Sequence, residues 1–205
     1  MEITLLGRDC FRLKGREAAL VTDPFAPMEG TTRLSADIVT VSAEDREHGA
    51  VETVEGSPRV VTGPGEYEIK GVLITGVGAD QTVGPSKEHT RNTVYLIEID
   101  ELRVCHLGAL SQPLTTSQVD EIGAVDVLFV PVGSERGFSS TQAAETIAQL
   151  EPSIVVPMDW TERDGVLDKF CHEMGITTME FQPKFNAVKA SMPTEPLVVL
   201  LEPRR

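Results

Sequence analysis

Asp45, Glu47 and His48, in the run "ADIVTVSAEDREHGAVETV", and Asp159, in "SIVVPMDW", are the side chains whose types and placement could do chemistry. Each follows an apolar run that reads as a strand, and open α/β sheets bind ligands at the C-terminal ends of their strands. Asp45, Glu47 and His48 could serve as acid and base in a metal-free hydrolysis. Trp160, next to Asp159, could wall a pocket or pack. The runs after 103–107 ("GAL") and 127–130 ("PVGSERG") mark two further strand ends. Ser42 also ends a strand, but no spacing nominates a histidine partner for it.

Several chemistries lack their residues. There is no G-x-S-x-G elbow for an acyl-transfer serine and no C-x-x-C pair. "GVGADQTVG" is Gly-spaced but no helix follows it, so it is not a phosphate loop. The four histidines are His48, His89, His106 and His172, and no two lie two residues apart. His106 alternates within a strand and reads as packed. His172 falls on a helix and His89 on a polar loop.

The 205 residues carry 32 acids against 18 bases, a formal net charge of −14. This argues against nucleic acid and anionic membranes as partners, because binding them needs clustered Lys and Arg. Cys10, Cys105 and Cys171 are odd in number, and the first two sit in apolar strand patterns as small hydrophobes. No apolar run is long enough to span a bilayer. The start, "MEITLLGRDCFRLKG", reads as a strand and turn rather than a secretory leader, so the expected location is the cytoplasm.

The elements that position these residues follow from periodicity. Strands are expected at 2–6, 10–14, 18–22, 37–41, 59–61, 66–69 and 71–76, with a short helix at 44–54 and an exposed loop at 79–91. "NTVYLIEIDELRVCHLGAL" reads as a hairpin turning at "DE". A helix capped by Thr115 or Thr116 follows. "AVDVLFVPVG" and "SIVVPMDW" read as strands covered on both faces. Between them lies a helix capped by Ser140. A helix ending at Gly175 and a C-terminal strand, "LVVLLE", complete the chain. Hairpins precede strand–helix–strand units in each half, about 1–91 and 92–205. The expected architecture is a single α/β (α+β) domain of two facing sheets with helices outside.

The order "LLGRDCFRLKG … VVTDPF … ADIVTVS … GPGEYEIKGVLITG … RNTVYLIEIDELRVCHLGAL … VDVLFVPVG … LEPSIVVPMDW" resembles the metallo-β-lactamase-fold superfamily over essentially the full chain. Within it, the chain resembles the small bacterial metal-dependent hydrolases that include the ascorbate-6-phosphate lactonase type. The resemblance implies a four-layer αββα sandwich with a metal site along one edge. It also implies where the ligands should be. Of the family's H-x-H-x-D-H, the first His falls on Ala43, the second on Asp45 and the Asp on Glu47, and His48 is kept. The bridging Asp of "HLGD" falls on Ala109, and the His of "PMH" on Asp159. A further His has no counterpart, the nearest residues being Ala79 and Asp80. The family's "LGHS" is "LGRD" here, giving Arg8 and Asp9. Asp23 of "TDPF" matches and is expected to fix a loop under the site.

A dinuclear centre needs several imidazoles and a bridging carboxylate, and a mononuclear catalytic zinc usually has three protein ligands. The favoured reading is therefore a pseudoenzyme with a degenerate metal site, binding a small molecule or a protein. Arg8, Asp9, Asp23, Asp80 and Trp160 are its pocket candidates. No cofactor is expected. The alternative is a hydrolase of a phosphoester, lactone or amide that uses Asp45, Glu47, His48 and Asp159 as an oxygen-rich site, which suits Mn or Mg better than Zn. Without a metal, the converging acids need a positive partner, and Arg8 pairing with Asp159 or Asp45 is the expected one. A homo-oligomer stays open, since symmetric assemblies are common.

Overall fold

Period-two alternation builds the first sheet. In Glu2–Gly7 (β1), Cys10–Lys14 (β2), Ala19–Thr22 (β3), Ile38–Val41 (β4) and Arg59–Thr62 (β5), the residues Ile3, Leu5, Phe11, Leu13, Leu20, Ile38 and Val61 enter the main core. Leu6, Cys10, Val21, Val39 and Val41 face the other way, into a small cluster closed by Leu34 and Val54. The computed structural model describes residues 1–26, 34–43, 49–83, 88–133, 139–160 and 165–204.

The chain continues through Gly65–Ile69 (β6), Val72–Gly78 (β7), Gln81–Val83 (β8), Glu88–Thr90 (β9), Thr93–Ile99 (β10) and Leu102–His106 (β11). Thr116–Ile122 (α1), Val127–Pro131 (β12), Ser140–Leu150 (α2), Ile154–Met158 (β13) and Val166–Glu173 (α3) follow. Phe181–Gln182 (β14), Phe185–Asn186 (β15), Leu197–Val198 (β16) and Leu200–Leu201 (β17) finish it. One sheet runs β15-β1-β2-β3-β4-β5 and the other β16-β13-β12-β11-β10-β7-β6. The first sheet therefore borrows β15 from the C-terminal region, and the second takes β6 and β7 from the N-terminal half.

The main core lies between the sheets and continues beneath the helices. Every residue of β12 and β13 is buried, as expected of strands covered on both faces. Ala143 and Ile147 of α2, and Leu167 and Phe170 of α3, supply the outer cover. The buried Tyr95 hydroxyl on β10 donates to the Val41 carbonyl at 2.9 Å, tying the second sheet to the end of β4. The result is an α+β sandwich.

Four expectations change. The helix at 44–54 is, over the described residues, only a 3₁₀ turn at Val51–Thr53; residues 44–48 lie outside the described residues. The expected loop at 79–91 contains the β8–β9 hairpin. Its short polar strands lack the apolar alternation that marks a buried pair. The cap of α2 is Ser139, not Ser140, because Gln142 three residues on completes a reciprocal capping box. The C-terminal strand is split at Val199, with β16 pairing β13 and β17 pairing β14.

Candidate functional site

The ends of β4, β11 and β13 meet the β1–β2 turn at one edge of the sandwich. There Asp23 is fully buried and forms the hub. Its carboxylate accepts from the Ser42 N–H at 2.7 Å and from the Ser42 hydroxyl at 2.5 Å. Ser42 thus donates to a carboxylate rather than standing as a nucleophile beside a base.

His106 lies 3.8 Å from Asp23 through Nδ1. Its Nε2 sits 2.8 Å from the Asp9 carbonyl, and its Nδ1 is 3.2 Å from the Gly108 N–H. A carbonyl can only accept, so Nε2 carries the proton. Nδ1 then accepts from the Gly108 N–H. Phe11 and Phe129 wall the ring edge-on, with centroids 6.1 and 5.9 Å away. Thr22 links the turn to β2, accepting from the Phe11 N–H at 2.9 Å and donating to the Asp9 carbonyl at 3.1 Å.

Close packing fixes the junction between the sheets. A Cβ on Gly108 would fall 2.4 Å from that of Ser42, and Gly108 has φ +59°, which also favours glycine. Asn92 donates to the Leu107 carbonyl at 3.1 Å and accepts from the Ala109 N–H at 2.9 Å. The Thr93 N–H donates to the Ser42 carbonyl at 2.9 Å. At the next strand ends, a Cβ on Gly133 would fall 2.3 Å from the Asp159 carbonyl oxygen and 2.6 Å from the Trp160 Cα.

The residues nominated by sequence distribute as follows. Arg8, exposed, and Asp159, half-buried, are in backbone contact: the Asp159 N–H donates to the Arg8 carbonyl at 3.0 Å. Asp9 and Asp23 are buried at this edge. Trp160 is half-buried beside it. Asp80 is exposed at the end of β7, next to the buried Ala79. Ala43, two residues past β4, is buried, and Ala109, three residues past β11, is half-buried. Asp45, Glu47 and His48 lie outside the described residues. Among the described residues, no group of three or more His, Cys, Asp or Glu is placed to hold a metal ion. Sequence reasoning missed Ser42, Asn92 and His106 as members of the network. They are far apart in the chain, and no local spacing joins them.

Burial pushes the Cys10 thiol well above its ordinary range, and the nearby Asp9 and Asp23 charges push the same way. Burial alone raises Cys105. Neither thiol is poised as a nucleophile.

Two facing mixed sheets, with α1 and α2 packed on the second of them and α3 against α2, and a polar strand-end edge define a metallo-β-lactamase-type sandwich. The chain belongs to the β-lactamase superfamily domain family, which matches residues 2–159. It is 32% identical, over 98% of each chain and with a TM-score of 0.80, to a Thermotoga maritima protein described as a Zn-dependent hydrolase of the metallo-β-lactamase superfamily. A UPF0173 metal-dependent hydrolase from Thermococcus onnurineus is 25% identical over 190 residues, covering 78% of this chain and 84% of the relative. A UPF0173 protein from Pyrococcus furiosus is 27% identical over 180 residues, 78% of this chain and 83% of the relative.

Proposed function

We propose that this chain is a non-catalytic member of its family, a pseudoenzyme that binds a small molecule or a partner protein in or near the strand-end cleft. The observation that carries the reading is the pair Ala43 and Ala109. The resemblance puts an imidazole and a bridging carboxylate at these positions, and each holds instead a methyl group, two residues past the end of β4 and three past the end of β11. Donor chemistry supports the same reading. Of the side chains the resemblance assigns to the metal, His48 alone is an imidazole, and Asp45, Glu47 and Asp159 are carboxylates. That set does not fit a dinuclear zinc centre, which needs several imidazoles. Arg8, joined to Asp159 through the backbone, is the side chain we assign to balance those acids.

The second reading is a hydrolase of a phosphoester, lactone or amide, favoured by the relatives' description as metal-dependent hydrolases. Its donors would be Asp45, Glu47, His48 and Asp159, an oxygen-rich set suited to Mn or Mg. Thermal unfolding of chelator-treated protein with and without Mn, Mg and Zn separates the two. A pseudoenzyme is stabilised by well under about 1 kcal/mol, whereas a metal at a hundredfold its dissociation constant would add about 2.7 kcal/mol.

Residence in the cytoplasm is part of the proposal. Cys10, Cys105 and Cys171 are buried free thiols, consistent with a reducing compartment. Among the described residues, no helix is long and apolar enough to cross a membrane. The acidic excess speaks against nucleic-acid partners.

A further inference from the structure

Beside Trp160, and outside the Asp23–Ser42–His106 network, a cleft of about 980 Å³ opens between the edge of β1, the start of α3, β14 and the segment 202–204. Its apolar wall is an open pair of rings. The Trp160 and Phe181 centroids are 5.6 Å apart with 47° between their planes. Phe181 and Met179 are 38% and 41% exposed there, among the few large apolar side chains left so open to solvent. Two aromatic faces and a thioether form a wall that folding has not covered.

The charges around this wall are not balanced. Glu2 and Lys184 face each other at 2.6 Å and cancel, and Lys184 accordingly holds the Glu2 carboxyl below its ordinary range. Glu202 and Arg204 contribute one charge of each sign from the same segment. Asp168, exposed in the first turn of α3, has no ion-pair partner among the described residues. Among the described residues that line it, the cleft therefore has three carboxylates against two cations, on a chain whose net charge is −14. Such a field concentrates cations. An aromatic face, indole above all, attracts an ammonium through its quadrupole. Among the described lining cations, an anion would find Lys184 already held by Glu2 and would have Arg204 to set against Asp168 and Glu202.

We infer that this cleft binds an organic cation with an apolar body, an alkyl- or arylammonium compound, its charge held between the Trp160–Phe181 rings and Asp168. The inference deepens the ligand-binding reading and rests on it for the role of the fold as a binder. The two fail separately, because metal uptake and hydrolysis test the strand-end site while the cleft is tested by cation binding.

Trp160 is the chain's one tryptophan, so its emission reports on the cleft directly. Full-length protein is titrated with benzyltrimethylammonium and, in parallel, with phenylacetate, each with and without EDTA. The cation produces a saturable change in emission, unaffected by EDTA, and phenylacetate binds at least about tenfold more weakly. Asp168→Asn and Phe181→Ala, both exposed positions, each weaken cation binding by about three- to tenfold while circular dichroism melts stay unchanged. Absence of saturation into the millimolar range, equal binding of phenylacetate, loss of binding on chelation, or unchanged affinity in Asp168→Asn would each overturn the inference.

Discussion

The backbone N–H of Asp159 donates to the carbonyl of Arg8 at 3.0 Å, and both residues hold left-handed backbones, with φ of +53° and +54°. Asp23, the hub of the adjacent network, is a third, at φ +40°. Non-glycine residues cost free energy in this region and persist where their surroundings over-determine them. Lys70, Asp100, Glu101 and Glu151 share the conformation at turns and a helix end, whereas these three meet at the edge of the sandwich that carries the polar network.

Asp159 is therefore sensitive to backbone preference as well as charge. Asp159→Asn retains a side chain that tolerates the left-handed region, and Asp159→Val does not. Urea denaturation should show the Val variant less stable than the Asn variant by about 1–2 kcal/mol. Equal stabilities would mean that the left-handed conformation at Asp159 is not held in solution.

Gly133 fixes the path of the same loop from the opposite side. Gly133→Ala places a methyl against the Asp159 carbonyl and the Trp160 Cα, both backbone atoms that cannot rotate away. A loss of about 1–3 kcal/mol is expected, together with a shift in Trp160 emission. A variant with parental emission and stability would contradict this packing.

Ser42→Ala removes the hydroxyl that donates to the buried Asp23 carboxylate at 2.5 Å and leaves the backbone N–H bond to the same group. Hydrogen bonds to charged groups contribute about 1.5–3 kcal/mol, and the variant should lose that amount in denaturant titration. A loss below about 0.5 kcal/mol would show that the buried carboxylate does not depend on this donor.

Asp37 gives the pH dependence a sign. The Lys70 ammonium at 2.6 Å, and then the Ala19 N–H, hold its carboxyl below the ordinary carboxylate range. A depressed folded value contributes stability that is complete above the unfolded value, about 4, and is lost as pH falls through the lower folded value. Asp37→Asn should accordingly be less stable than the parent at neutral pH, with the gap closing in strong acid. A gap that stays constant down to about pH 2 would contradict the pairing.

Much of the fold was legible because strand faces are encoded locally. Ile3 and Leu5 alternate onto one face, and "VLFVP" and "IVVPM" announce burial on both. The resemblance that runs from β1 to β13 rests on those same segments. The network at the strand ends was not legible, because Asp23, Ser42, Asn92 and His106 are far apart in sequence and meet only when the two sheets face each other. His106 shows the limit well. Its place in an alternating strand correctly predicts burial, yet nothing local says that its nitrogens will meet the Asp9 carbonyl and the Gly108 N–H. The cap of α2 failed for a smaller reason: two adjacent serines offer the same side chain, and only the position of Gln142 chooses between them.

The central claim of the proposed function is that the strand ends to which the family resemblance assigns a metal hold none in this chain. Elemental analysis of the purified full-length chain, before and after equilibration with excess Zn, Mn and Mg followed by desalting, tests it most directly. The account predicts far less than one equivalent of any of these ions per chain, unchanged in Asp159→Asn. One or two equivalents retained by the parent and lost in Asp159→Asn would contradict it and favour the oxygen-rich metal site of the second reading.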